Sequence, residues 1–428
     1  MGGGAWLGGK PVARVDSGSQ KGLVKPARGR FGDCVDNQEM LHSLPWPRGT
    51  LGWGAPDTGL MEHTGGKSSL VIACGGTGGH LFPGLAVAEE WTARGGDVLL
   101  LISEKKIDQE ARRKYPQYRF ETVPAIGKPA TFSPKMLPFL WKLWRTTGRC
   151  GSLLKEFKAD AVLGMGGFTS LPPCWAAKRA GLPAFVHDSN ALPGKANRLT
   201  SRFCRKVFIG MDPARGFFPG KDVVSTGTPV RAEMRALPSR AEAAAKFGLD
   251  PSRPTLLVTG GSQGARRLNS LVAMAFNDFP KGAQVLHIAG PLDQPRVEEE
   301  AAGRDGYRVV GFCDDMPSAY AVSDAVLSRS GASSMTELSF LGLPSILVPF
   351  PYAADDHQTR NAEVFEKAGA AFLEPEGALD AAKLAARVTS LMSDLQTRDR
   401  MAQAARSLAV PDAAARVCDA IEATLSRK

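Results

Sequence analysis

The stretch that decides the fold is residues 70–80, LVIACGGTGGH, in which a short apolar run passes directly into a glycine-rich turn. A helix-like pattern follows at residues 84–91, and residues 255–266, TLLVTGGSQGAR, repeat the order of apolar run, glycine-rich turn and helix. Short apolar runs that alternate with amphipathic segments are typical of a parallel sheet covered by helices on both faces. We therefore predict an α/β protein with two Rossmann-like domains and a cleft between them.

The composition shifts along the chain and suggests four segments. Nearly a third of residues 1–66 are Gly or Pro, without a sustained apolar period, and such a stretch cannot bury enough apolar surface to offset its ordering entropy. We interpret it as a disordered extension, or as one included by a mis-assigned start codon upstream of Met61. Residues 67–229 are predicted to form the first domain, residues 230–412 the second, and residues 413–428 a final helix that returns to the first domain.

The overall composition excludes several classes of protein. With 428 residues, 43% hydrophobic and 22% charged, wholesale disorder, collagen and a polytopic membrane protein are disfavoured. The seven cysteines lack CxxC or Cys/His spacing, which argues against a disulfide framework or structural zinc and fits a reducing cytosol. The net charge of +10 predicts an anionic partner without choosing between nucleic acid, membrane and a phosphorylated ligand.

Four glycine-rich turns share one physical logic. Each follows an apolar run and precedes a helix candidate, so backbone N–H groups at a helix N-terminus can meet phosphate oxygens. Four such turns predict a shared anion site better than one would; they lie at residues 74–80, 164–170, 260–266 and 328–334. A dinucleotide-binding GxGxxG is excluded because Leu81 stands where its third glycine is required, and no GxxxxGK[ST] loop occurs.

The turns also carry a more specific resemblance. GGTGGH at 75–80, GMGGF at 164–168, GGSQG at 260–264 and DHQTRNA at 356–362, with Glu337 before the last, resemble the MurG family in this order. The resemblance runs from about residue 69 to the C-terminus. It implies a GT-B type enzyme that moves N-acetylglucosamine, with inversion, from UDP-N-acetylglucosamine to the C4 hydroxyl of the muramyl unit of lipid I, giving lipid II in peptidoglycan synthesis. The alternative is another GT-B sugar-nucleotide enzyme, such as a glycolipid synthase or a UDP-N-acetylglucosamine epimerase.

The same resemblance implies the site residues. Thr77, Gly78 and Gly79 would meet the sugar and the acceptor diphosphate. The carboxylate of Glu337 would accept from the ribose hydroxyls, and the backbone of Cys313 would face uracil. The remaining implied contacts with the donor are Asn190, Arg231, Ser262, Ala332, Ser333, Ser334, Met335, Thr336, His357 and Gln358. The chain departs from the family's pattern, near the predicted cleft, at Asp188, Ser189 and Thr228.

Inverting transfer needs a base for the acceptor hydroxyl. His80 directly follows a glycine-rich turn, and an ordinary histidine pKa near 6.5 suits proton abstraction near neutrality, so it is the candidate catalytic base. The alternative is that His80 only positions its loop. For His187 beside Asp188, a structural hydrogen bond at the end of a buried strand is preferred to an orienting pair, and His287 is assigned to the core.

No cofactor and no obligatory protein-bound metal are expected. The acidic pairs at 314–315 and 355–356 are adjacent and lack DxD spacing, and Asp314 is expected to cap the helix entered at Met316. Stabilisation of the departing diphosphate would come instead from amide dipoles of the turns, with Arg231 as a cationic clamp.

Residues 128–158 are the densest basic segment, with seven Lys or Arg against one Glu, interleaved with Phe132, Phe139, Trp141 and Trp144. Its apolar part is too short to span a bilayer, yet aromatic residues beside cations suit an anionic membrane surface. The alternative is an amphipathic helix that packs its aromatics inward. A lipid-linked acceptor favours peripheral contact at the cytoplasmic face of the cell inner membrane. No nucleic-acid partner is expected, because no recognised motif occurs.

Overall fold

Two parallel sheets organise the protein, in a computed structural model that describes residues 68–124, 134, 136–261 and 264–426. The predicted extension at 1–66 lies outside the described residues, as does Ser262.

The first sheet has seven parallel strands in the order β3-β2-β1-β4-β5-β6-β7. Its strands are β1 Ser69–Ala73, β2 Asp97–Ile102, β3 Arg119–Thr122, β4 Ala161–Gly164, β5 Ala184–Asp188, β6 Lys206–Ile209 and β7 Asp222–Ser225. Its helices are α1 Gly78–Ala93, α2 Lys106–Lys114, α3 Met136–Phe157, α4 Leu171–Arg179 and α5 Lys195–Thr200. The strand order reverses between β1 and β4, and a crevice for ligands forms at such a point beyond the carboxyl ends of the strands.

The second sheet has six parallel strands in the order β10-β9-β8-β11-β12-β13. They are β8 Thr255–Thr259, β9 Gln284–Ile288, β10 Tyr307–Val310, β11 Ala325–Ser328, β12 Ser345–Leu347 and β13 Ala371–Leu373. The later helices are α6 Arg240–Phe247, α7 Arg266–Ala275, α8 Gln294–Ala301, α9 Met316–Ala321, α10 Ala332–Leu341, α11 His357–Lys367, α12 Ala381–Ser393, α13 Leu395–Ser407 and α14 Ala413–Leu425. The predicted α/β class with two Rossmann-like domains is confirmed.

Burial explains why the strands read as continuous apolar runs rather than as alternating patterns. The strands β4, β5 and β8 are buried at every position, because helices cover both faces of each sheet. The last helix, α14, packs Val417, Cys418 and Ile421 into the core that Trp91 of α1 shares with the first sheet. Arg94, the C-cap residue of α1, forms ion pairs of 2.6 and 2.8 Å with two acidic side chains of α14. The last helix therefore packs with the first sheet although the second precedes it in the chain.

The longest helix of the first sheet, α3, has 22 residues. Within the described ranges, no helix combines the length and the apolar character needed to cross a membrane.

Candidate active site

The turns after β1 and β4 lie side by side at the point where the strand order reverses. Thr169 Oγ1 donates a hydrogen bond of 2.8 Å to the carbonyl oxygen of Gly75. Gly76 and Gly166 have φ values of 112° and 123°, which other residues rarely adopt. Glycine at 166 also makes room for His80, since a Cβ there would lie 2.8 Å from His80 Nε2. The two turns and the His80 ring therefore form one packed unit.

His80 stands in the first turn of α1, which begins at Gly78 with Thr77 as its N-cap. Its Nδ1 lies 3.3 Å from Thr77 Oγ1, and the residue as a whole is partly exposed. Desolvation lowers the pKa of His80 to about 4, while the charge of Asp108 raises the pKa and Lys105 lowers it. At neutral pH the imidazole is uncharged and has a lone pair with which to accept a proton. That state suits a general base, and it is equally compatible with positioning of the loop.

Asp108, which was not among the predicted site residues, fixes the turn after β1. Its buried carboxylate accepts hydrogen bonds of 2.8 Å from the amides of Gly76 and Ser103. Lys105 Nζ donates to the carbonyl of Gly76 at 2.7 Å, so both backbone polar groups of Gly76 are fixed. In the sequence, Asp108 looks like an ordinary acidic residue in the first turn of a helix, and nothing there indicates its long-range partner.

His187 and Asp188 at the end of β5 make hydrogen bonds to other partners and none to each other is seen, and the structural hydrogen bond expected at this strand end is present. His187 is buried and its Nε2 lies 2.9 Å from the carbonyl oxygen of Gly227. Asp188 is also buried and accepts hydrogen bonds from the backbone and side chain of Asn190 and from Asn197 Nδ2. Burial raises the pKa of Asp188. The carboxylate thus fixes the loop after β5, on which Asn190 lies.

Asn190 connects this loop to the second sheet. Its Oδ1 accepts a hydrogen bond of 3.1 Å from Asn361 Nδ2 in α11, and Asn361 Oδ1 in turn accepts from the amide of Ala191 at 2.9 Å. Asn361 also donates to the carbonyl of Ser330 in the turn after β11. Asn361 was not among the predicted site residues, although it belongs to the DHQTRNA motif that could have indicated it.

Arg231 contacts a helix that packs on each of the two sheets. Its guanidinium carbon lies 4.1 Å from the centre of the Phe82 ring in α1, and its Nη2 lies 3.5 Å from Glu337 Oε1 in α10. Burial raises the pKa of Glu337, and Arg231 opposes that shift. Ser333 Oγ approaches the carbonyl oxygen of Gly79 at 3.4 Å. A small pocket between the sheets is lined by Phe82, Pro83, Thr228, Pro229, Val230, Arg231, Ser333, Thr336 and Glu337.

Five other residues that were predicted to contact the donor do not line this pocket. Ala332 and Met335 are buried, and Met335 packs in the core. Ser334 is partly exposed near the start of α10. His357 Nδ1 lies 2.7 Å from the carbonyl of Ala354 in its own turn, and Gln358 Oε1 accepts from the amide of Phe350 at 2.9 Å.

The turn before α9 corrects one expectation. Asp315, not Asp314, caps the helix by accepting a hydrogen bond of 3.1 Å from the amide of Ser318. Asp315 also pairs with Lys246, and this contact contributes to lowering its pKa to about 2, against the opposing effect of burial. Cys313 lies half-buried in the same turn, and burial raises the pKa of its thiol.

Acidic side chains of the second half of the chain that could be considered as metal ligands are paired with cations. Asp355 forms an ion pair of 2.6 Å with Lys195, and Arg329 pairs with Glu376. The part of the chain that the structure describes contains no group of three or more His, Cys, Asp or Glu side chains placed to hold a metal ion.

Three histidines that are desolvated in the folded protein predict how stability depends on pH. Desolvation lowers the pKa of His80 and His187 to about 4 and that of His287 to about 3. In the unfolded chain each histidine ring has a pKa near 6.5. Between the folded pKa of each ring and pH 6.5, the unfolded chain therefore binds more protons than the folded one. We expect the free energy of unfolding, measured in urea, to fall as the pH is lowered from about 7 to 5. The slope should be shallower for His287→Asn, and a flat profile for the parent protein would contradict the prediction.

Comparison with known proteins places these features in a wider group. A model of the glycosyltransferase family 28 N-terminal domain matches residues 70–209, and a model of the C-terminal domain matches residues 255–417. The UDP-N-acetylglucosamine–N-acetylmuramyl-(pentapeptide) pyrophosphoryl-undecaprenol N-acetylglucosamine transferase of Shewanella pealeana is 37% identical over 366 residues, which cover 84% of this chain and 98% of that protein.

Solved structures agree with this match. The crystal structure of Acinetobacter baumannii MurG aligns with a TM-score of 0.66 and 28% identity, covering 83% of this chain and 99% of that one. The calicheamicin glycosyltransferase CalG4 aligns with a TM-score of 0.60 over 84% of this chain and 99% of that one, and at 16% identity it shares the fold alone.

Proposed function

The chain belongs to the MurG family of glycosyltransferase family 28, and we propose from that premise how its cleft performs the reaction. It is a UDP-N-acetylglucosamine-dependent hexosyltransferase that converts lipid I to lipid II. The observation that carries the mechanism is the meeting of Gly79, Ser333, Arg231 and Glu337 between the two sheets. Residues 230–412 are proposed to hold the donor and residues 67–229 the acceptor.

The donor is proposed to lie against α10 and the turns of the second sheet. The first turn of α10, which begins at Ala332, presents unpaired backbone N–H groups and the positive end of a helix dipole. These groups suit the diphosphate, and Arg231 adds a charge-assisted contact to it. Glu337, one helical turn further on, is the acceptor for the ribose hydroxyls. As the bond from the anomeric carbon to the diphosphate breaks, the backbone N–H groups of α10 and the Arg231 guanidinium stabilise the negative charge that develops on UDP.

The acceptor is proposed to lie over the two adjacent turns that follow β1 and β4 (the paired turns). The amides of Gly78 and Gly79 at the start of α1 suit the undecaprenyl diphosphate, and His80 stands next to them. The neutral imidazole takes the proton of the muramyl C4 hydroxyl, whose oxygen forms the new bond to the anomeric carbon on the face opposite UDP. The configuration at that carbon is therefore inverted.

Sugar transfer to a lipid I analogue tests the function directly. The purified protein should convert UDP-N-acetylglucosamine and the analogue to a lipid II analogue, with stoichiometric release of UDP. An epimerase would instead act on UDP-N-acetylglucosamine without acceptor, and a glycolipid synthase would require a diacylglycerol acceptor. Folded protein that binds UDP-N-acetylglucosamine but yields no lipid II analogue would contradict the assignment.

The outer face of α3 supports the proposal of a membrane contact. Leu137, Leu140, Trp141 and Trp144 are 50 to 75% exposed and follow one another at helical spacing. Arg145 stacks on the Trp141 ring at 5.4 Å beside this stripe. The opposite face of α3 buries other apolar side chains, Phe139 and Leu143 among them. Of the aromatics expected to pack inward, Phe139 does so and Trp141 and Trp144 do not, while Phe132 lies outside the described residues.

We propose that this outer face rests on the anionic cytoplasmic surface of the inner membrane, with no nucleic-acid partner. An apolar stripe flanked by cations is the arrangement of an interfacial helix. Basic residues near an anionic surface contribute about 1 kcal/mol each. Tryptophan and leucine side chains have no comparable use on a phosphate backbone that is read mainly by charge.

Charge reversal on α3 should weaken binding to vesicles. For Arg145→Glu with Arg149→Glu, we expect loss of at least about 2 kcal/mol, roughly a thirtyfold or larger fall in partitioning to phosphatidylglycerol-containing vesicles measured by co-sedimentation. The matched control is Arg112→Glu with Arg113→Glu, two exposed cations on α2 of the same sheet. An equal fall for both pairs, or none for the α3 pair, would contradict the membrane assignment.

A further inference from the structure

A buried tyrosine holds one oxygen of the Glu337 carboxylate. Tyr320 lies on α9 and is 3% exposed, and its hydroxyl donates a hydrogen bond of 2.8 Å to Glu337 Oε2. Burial and the neighbouring carboxylate raise the pKa of Tyr320 well above its ordinary value. The hydroxyl therefore stays protonated at neutral pH and donates to the carboxylate.

The second oxygen of Glu337 is held more loosely. Oε1 lies 3.5 Å from Arg231 Nη2, beyond the usual length of a charge-assisted hydrogen bond. Arg231 is engaged on its other side by the Phe82 ring and by Glu233, whose Oε2 lies 3.3 Å from Nη1. Because Oε2 is fixed and Glu337 lines the pocket between the sheets, Oε1 is the oxygen left for a ligand.

The helix that carries Tyr320 is itself well fixed. Asp315 caps α9 at its start, and Tyr320 packs in the same core cluster as Met335 and Leu338 of α10. A glutamate side chain loses rotamer freedom when it is ordered, at a cost of roughly 1 to 2 kcal/mol. The Tyr320 hydroxyl, which is anchored on a packed helix, orders the glutamate side chain before the ligand arrives. The ligand then does not have to offset that cost, which is the effect of preorganisation on affinity.

We propose that Tyr320 is a positioning residue for the nucleotide sugar of the donor. By binding Glu337 Oε2, it presents Oε1 to the vicinal hydroxyls of the ribose. This inference rests on the proposed function, because it assumes that the donor is a ribonucleotide sugar bound at Glu337. It adds a residue that does not touch the donor but determines how well the carboxylate can accept from both hydroxyls.

The test compares two nucleotides in calorimetric titration of Tyr320→Phe. We expect the Kd for UDP to rise about tenfold, the scale of one hydrogen bond to a charged group, and the Kd for 2′,3′-dideoxy-UDP to change less than about twofold. The matched control is Tyr307→Phe, which removes an equally buried hydroxyl that binds His287 Nδ1 at 2.8 Å. It should leave both constants unchanged. Equal losses for the two nucleotides, or no loss for UDP, would overturn the proposal.

A second variant separates positioning from a general structural effect. In a Glu337→Gln background, Tyr320→Phe should add less than about twofold to the Kd for UDP, because the two side chains act as one unit. In turnover assays, Tyr320→Phe alone should raise the KM for UDP-N-acetylglucosamine about tenfold with kcat within about twofold of the parent. Additive losses would overturn the proposal. UDP binding is measured without acceptor, so failure of transfer to lipid I would contradict the proposed function and leave this result standing.

Discussion

Replacing His80 by alanine is expected to lower kcat by about 10²- to 10⁴-fold, the usual contribution of a general base. The ring lies against Gly166 in the paired turns and stays neutral at pH 7, because burial lowers its pKa to about 4. Without it, the muramyl hydroxyl must attack while it still carries its proton. The measurement is kcat at saturating donor and lipid I analogue, with thermal unfolding and UDP affinity followed in parallel.

The pattern of losses decides between the two roles considered for His80. A base acts in the transition state, so kcat and kcat/KM should fall together while the Kd for UDP stays within about twofold. If His80 only positions the loop through Thr77, the KM for the acceptor should rise with kcat nearly unchanged. That second pattern, or a kcat close to that of the parent, would exclude His80 as the base.

Replacing Gly75 by alanine is expected to destabilise the protein by about 3 kcal/mol or more, the upper range for overpacking. A Cβ on Gly75 would lie 2.3 Å from the backbone nitrogen of Ser103 and 2.7 Å from the carbonyl carbon of Ile102. Both are backbone atoms at the end of β2, so no side-chain rotation relieves the clash. The turn after β1 must therefore move away from β2, and the amides of Gly78 and Gly79 must move with it.

The control for Gly75 is a glycine with open space around it. Gly151 lies inside α3, and a Cβ there would meet no atom within 4 Å. Gly151→Ala should therefore stabilise the protein by about 0.5 to 1 kcal/mol through helix propensity. Urea unfolding of both variants measures the contrast. If Gly75→Ala unfolds at the same urea concentration as the parent, the close packing of the first turn against β2 is contradicted.

The sequence predicts the parts of this site that depend on local pattern. The glycine-rich turns follow from apolar runs and turn chemistry, and the burial of His287 follows from its place in an apolar strand. Contacts between distant segments cannot be predicted in this way. Asp108 meets Gly76 across 32 positions, and Asn361 meets Asn190 across 171. Such partners depend on how strands are ordered in the sheets, which no single segment of the chain encodes.

Local reasoning also failed by one residue where two choices are nearly equivalent. Asp314 and Asp315 both precede α9 and both have side chains suited to capping. Asp315 takes the role because its carboxylate reaches Ser318 and, at the same time, the distant Lys246. Tyr320 escaped notice for a related reason, since its partner Glu337 lies on another helix.

The packing of α14 with the first sheet has a consequence for movement of the cleft. The chain passes between the sheets twice, once near Gly227 and again near Val410, and these passages touch. A Cβ on Gly227 would lie 2.4 Å from Val410 Cβ, and Arg235 Nη2 donates to the carbonyl of Pro411 at 2.8 Å. The two sheets are therefore joined by two connecting segments that lie side by side. Because both connections lie at one place, we expect any relative movement of the two sheets to be a hinge rotation about them rather than a sliding of one sheet over the other.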